Sequence, residues 1–130
     1  MKRISVLFMV IVFTVMGCSK DNDETKEQES QNLDQMYQEI IALSLVTTES
    51  CTNSDDWAFT AIGHKSCGGP TGYIAYSLKI DTAAFLKKVE NYTKAQKEFN
   101  IKWGIPSTCE MAIPPTGVSC VEGKATLVFD

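Results

Sequence analysis

Four cysteines, Cys51, Cys67, Cys109 and Cys120, constrain what this chain can fold into more than any other feature. In a small domain that leaves the cytoplasm, an even set reads as two disulfides. Four cysteines allow three pairings. The two local ones, Cys51–Cys67 and Cys109–Cys120, close the shortest loops and are the expected pair. Each would contribute ~3 kcal/mol by restricting the unfolded chain. A metal site is the rival use, but the sequence has no CxxC pair and a single histidine, His64. Neither a metal nor another cofactor is expected.

Export follows from the first residues. Met1-Lys2-Arg3 is a basic start, and Ile4 to Met16 is an uncharged apolar run of 13 residues. Crossing a bilayer takes about 20 such residues, so the run fits the apolar region of a secretory leader. Val15-Met16-Gly17-Cys18 follows it. This resembles the lipobox of bacterial lipoproteins, with Met16 bulkier than the usual residue before the glycine. The resemblance implies a signal peptide over 1–17, cleavage before Cys18, lipidation of Cys18 and anchorage at the outer membrane. A single acyl chain binds only marginally, so the several chains of such an anchor matter. Cys18-Ser19-Lys20-Asp21-Asn22-Asp23 resembles the surface-export signal of Bacteroidota lipoproteins, with Asn22 interrupting the acidic pair. It implies display on the cell surface; the alternative is a tether facing the periplasm.

The charge excludes some partners. The chain carries −4 over 130 residues, and losing Lys2 and Arg3 with the leader takes it to −6. Arg3 is the only arginine. Arginine forks and a basic face are what nucleic-acid binding uses, so no nucleic-acid partner is expected. Ser19 to Asn32 has no apolar residue to bury and is expected to be a disordered acidic tether, residues 18–32 with the acylated cysteine. That leaves 33–130 as a single domain with a modest core.

Within the domain, Asn32 with Gln35 suggests a capping box. Leu33, Met36, Tyr37, Ile40, Ile41 and Leu45 then form one helical stripe ending near Val46. Trp57–Ile62 and Tyr73–Ile80 alternate as half-buried strands. Asp81 caps a second helix to about Phe99, with Phe85, Leu86, Val89, Tyr92 and Phe99 on its apolar side. Cys109, Met111 and Ile113 alternate as a third strand, and Val118–Val121 makes a fourth. Glu122-Gly123 is a two-residue hairpin turn leading to a last strand, Lys124–Phe129. The expected fold is α+β: a four- to five-stranded antiparallel sheet with the long helix on one face, plus an N-terminal helix and two disulfides.

The most distinctive stretch is Gly63-His64-Lys65-Ser66-Cys67-Gly68-Gly69-Pro70-Thr71-Gly72. It is not a phosphate loop, because Lys65-Ser66 precedes the glycine pair instead of following it. With the cysteine spacing, it resembles loops of small Bacteroidota lipoproteins, and no activity comes with that resemblance. No catalytic constellation is present, so three functions are weighed. The leading one is a membrane-anchored, non-enzymatic protein-binding module of inhibitor or immunity type. It would act through His64, Lys65, Gly68, Gly69 and Pro70, with Pro114 and Pro115 in a second loop. The alternative is a structural or assembly lipoprotein of an outer-membrane complex. The third is a small hydrolase using His64 with Asp55, Asp56 or Cys67. Asp81-Thr82-Ala83 resembles the O-glycosylation motif of Bacteroidota envelope proteins, which would make Thr82 a modification site.

Overall fold

The computed structural model describes residues 25–130. The leader, Cys18 and the beginning of the tether lie outside the described residues. Within them the fold is α+β, with two helices and four strands. The strands form two separate two-stranded antiparallel sheets, not the single sheet expected.

Helix α1 spans Lys26–Ser44. Its cap is Thr25, seven residues before the expected Asn32, which sits inside the helix. Thr25 and Gln28 make the reciprocal capping box: the Gln28 N–H donates to Thr25 Oγ1 at 3.3 Å, and the Thr25 N–H donates to Gln28 Oε1 at 3.0 Å. Glu27 and Glu29 in the first turn suit the positive end of the helix dipole. A tertiary contact also orders this polar turn: the Glu29 carboxylate accepts from the Lys102 ammonium and, at 2.8 Å, from the Trp103 indole N–H. Hydropathy carries no signal for such a contact, and so the turn reads as tether in the sequence.

Strands β1 (Trp57–Ile62) and β2 (Gly72–Ser77) pair in register from Trp57↔Ser77 to Ile62↔Gly72. Helix α2 (Thr82–Trp103) is capped by Asp81, whose carboxylate accepts from the Ala84 N–H at 3.1 Å. Its last residue, Trp103, lies four past the expected Phe99, and Gly104 caps it with φ +59°. Strands β3 (Gly117–Val121) and β4 (Lys124–Val128) form the second hairpin. Its turn is the expected Glu122-Gly123, with both residues at positive φ.

The three layers follow from strand alternation. Ile62, Ile74 and Tyr76 point from the first hairpin toward the antiparallel helix pair, where they meet Ile40, Phe85, Val89 and Tyr92. Trp57 and Ala75 point the other way and pack with Cys51 and Ala125 beneath the second hairpin. The expected strand at Cys109–Ile113 is absent. Its alternation is genuine, but Pro106, Pro114 and Pro115 remove ladder donors around it. The strand expected to reach Ile80 stops at Ser77, whose buried hydroxyl accepts from the Lys79 N–H in a turn.

The disulfides are Cys51–Cys120 and Cys67–Cys109, with Cα–Cα separations of 5.2 and 5.3 Å. Both expected pairings are wrong. The reason is topological. Cys51 leaves α1 at the end of the molecule where the β3–β4 turn lies, and its N–H donates to Gly123 O at 2.8 Å. Cys67 and Cys109 meet at the opposite end, beside the last turns of α2.

Two carboxylates held across distant segments are expected to make this fold acid-sensitive. Hydrogen bonds from Lys102 and then Trp103 hold Glu29 below the ordinary glutamate value of 4.5. Those from Lys79 and then Ser77 do the same for Glu49. A carboxylate depressed in the folded state stabilises it above the unfolded-state pKa, and that stabilisation is lost as pH falls through the folded value. The urea midpoint is therefore expected to drop as pH falls below about 4.5, and to drop less steeply in Glu29→Gln and Glu49→Gln.

Candidate functional site

The 63–72 loop joins β1 to β2 and lies along the second half of α2. Thr93, Gln96 and Asn100 present one stripe of polar side chains to it, at three- and four-residue steps. The Gly63 N–H donates to Thr93 Oγ1 at 3.0 Å and the His64 N–H to Gln96 Oε1 at 2.7 Å. Asn100 Nδ2 donates to His64 O at 2.7 Å. Across the base, both the Thr71 N–H (3.1 Å) and its hydroxyl (2.9 Å) donate to Ile62 O. Gly63 is buried at φ +80°, and a Cβ there would lie 2.0 Å from Thr71 Oγ1.

The distal half is closed on itself and tied to a strap, residues 104–116, that connects α2 to β3. The Lys65 N–H donates to Gly69 O and the Gly68 N–H to Lys65 O, each at 2.9 Å. Ser66 Oγ donates to Ile105 O, the Cys67 N–H to Ser107 Oγ at 3.2 Å, and Lys65 Nζ to Glu110 O at 2.5 Å. The Cys67–Cys109 disulfide joins the two segments covalently. Ser66, Cys67, Gly68 and Gly69 remain exposed, and the space around the two glycines is open. Beside the loop, His64, Ser66, Lys97, Asn100, Ile101 and Ile105 line an open cleft of about 380 Å³.

The other candidates fall elsewhere. Pro114 is exposed, whereas Pro115 is buried and packs instead of being presented. Thr82 is the first residue of α2, half-buried, with its hydroxyl 3.5 Å from Ile80 O. Asp55 and Asp56 form a short 3-10 turn before β1, and Asp56 lies 3.7 Å from Lys79. His64 follows the other end of that six-residue strand, roughly 20 Å away at strand rise. Cys67 is oxidised. The structure therefore brings His64 together with neither aspartate nor a free thiol. Among the described residues, no three of His, Cys, Asp or Glu are grouped to hold a metal ion. Among the same residues, no helix is long and apolar enough to cross a membrane.

Thr93, Gln96 and Asn100 are the loop-holding residues that sequence reasoning misses. Their one signal is a run of uncharged polar residues at helical spacing, between the charged wet side of α2 and its apolar face. No protein-family model, no curated protein and no solved structure matches the chain.

Proposed function

We propose that the chain is an envelope lipoprotein, anchored through Cys18, whose domain is a non-enzymatic protein-binding module of inhibitor or immunity type. The 63–72 loop is its contact element. One observation carries this reading: the loop backbone is fixed from two sides, by α2 and by the disulfide-tied strap, while its tip is left exposed. A loop already ordered loses little entropy on binding, so its contacts go into affinity. Rigid scaffolds that present such loops are where recognition usually resides. The hydrolase reading loses support because Cys67 carries no free thiol and the aspartates lie far from His64.

The test is affinity capture with the full acylated chain, from secreted proteins and from the producing cell's own envelope extract. It is run beside the Gly68→Asn/Gly69→Asn variant. Those side chains enter open space, and asparagine tolerates positive φ better than most residues. A secreted protein lost with the variant supports the reading, provided Tm stays near the parent value and both disulfides form. Recovery of the same proteins with both chains refutes it. Envelope partners recovered with both chains would favour the assembly lipoprotein.

A further inference from the structure

The place where the chain enters the fold bears on what faces the loop. The first turn of α1 is fixed to the last turn of α2 through Glu29, Lys102 and Trp103. Asn100, in that same turn of α2, holds His64, and Ile105 just beyond it holds Ser66. The chain entry, the 63–72 loop and the strap thus share one end of the molecule. The Thr25 cap lies seven positions after Cys18, and a fully extended chain covers at most ~3.6 Å per residue. An anchor on Cys18 therefore keeps this end within about 25 Å of the bilayer.

The most exposed apolar side chains lie toward the same end. Of the large hydrophobic side chains exposed among the described residues, the four most exposed are Met111 (86%), Ile101 (72%), Ile113 (70%) and Phe129 (53%). Ile101 is in the last turn of α2, Met111 and Ile113 are on the strap, and Phe129 follows β4 at the open end of its hairpin. Leu43, Leu78, Leu86 and Val121, toward the other end, are each less exposed.

We propose that these side chains rest in the bilayer surface, so that the domain lies with its loop end against the membrane. The inference rests on the acylation of Cys18. It gives the exposed isoleucines and Met111 an apolar medium within the reach of the tether, and it sets the 63–72 loop at bilayer level, where its partner must meet it.

The test uses the purified full acylated chain in detergent-free vesicles of phosphatidylethanolamine with a minor fraction of phosphatidylglycerol, and no other protein. Oxidation of Met111 by hydrogen peroxide is followed by mass spectrometry against a short free methionine peptide in the same sample. Met111 is expected to oxidise several-fold more slowly than the peptide. Oxidation at the peptide's rate overturns the proposal, and protection seen in cells but not in vesicles assigns the surface to a protein. Protection that fades as the protein is diluted among lipid assigns it to a second copy, which also overturns it. Intact mass and vesicle flotation keep the two readings apart. A chain without acyl groups that does not float refutes the anchor, whereas a floating, acylated chain with unprotected Met111 refutes only the membrane contact.

Discussion

Replacing Cys51 and Cys120 together with alanine lowers folding stability by about 4 kcal/mol and Tm by roughly 15–30 °C. The size follows from the 69-residue separation that this disulfide spans, since loop-closure entropy in the unfolded chain grows with the logarithm of the interval. Packing adds to it, because Cys51 is buried with Trp57, Ala75 and Ala125 in the second core cluster. The check is denaturant unfolding with the other cystine confirmed intact. Removing Cys67 and Cys109 instead is expected to cost less. Both residues are exposed, and their 42-residue interval lies inside one already closed by the outer bridge. If the two double variants are equally unstable, the chain-entropy account of this fold is wrong.

Gly63→Ala is the most damaging single change expected at the loop, at about 2–5 kcal/mol. Roughly 1–2 kcal/mol comes from forcing a side chain into left-handed backbone. A further ~1–3 kcal/mol comes from overpacking. The new Cβ would lie 2.0 Å from Thr71 Oγ1 and 2.6 Å from Gln96 Oε1, so two of the loop's own fasteners must move. Gly104→Ala is the control. Gly104 also has positive φ, +59°, but open space lies where its Cβ would be, so only the backbone cost of about 1–2 kcal/mol remains. Thermal unfolding of the two variants side by side separates steric clash from backbone strain. Equal Tm losses would mean that Thr71 and Gln96 yield without cost.

Much of what depends on local periodicity is legible in this sequence. The stripe from Leu33 to Ile41, the alternation of Trp57–Ile62, the Asp81 cap and the Glu122-Gly123 turn all appear where spacing and turn chemistry put them. Whatever depends on contacts distant along the chain is not. The first turn of α1 looks like tether because its partners, Lys102 and Trp103, are more than 70 residues away. The cysteines look locally paired because nothing in their spacing reveals that α1 delivers Cys51 to the β3–β4 turn. The alternation around Met111 mimics a strand because sequence does not show that a disulfide and prolines hold that segment as a strap. At the candidate site, glycine and proline mark a loop plainly. Its fasteners on α2 are hidden because Thr93, Gln96 and Asn100 look like any solvated helix side.

The outer cystine encloses the inner one, and this governs what a peptidase can do to the molecule. A single cut anywhere between Cys51 and Cys120 leaves both fragments joined through that bridge. Scission at the exposed Gly68-Gly69 tip yields a two-chain product whose new C-terminus, Gly68, stays beside α2 and the strap, because the hydrogen bonds of Gly63, His64 and Cys67 all lie on its side of the cut. Peptide bonds at this exposed tip can thus be severed by an attacking hydrolase without the pieces parting.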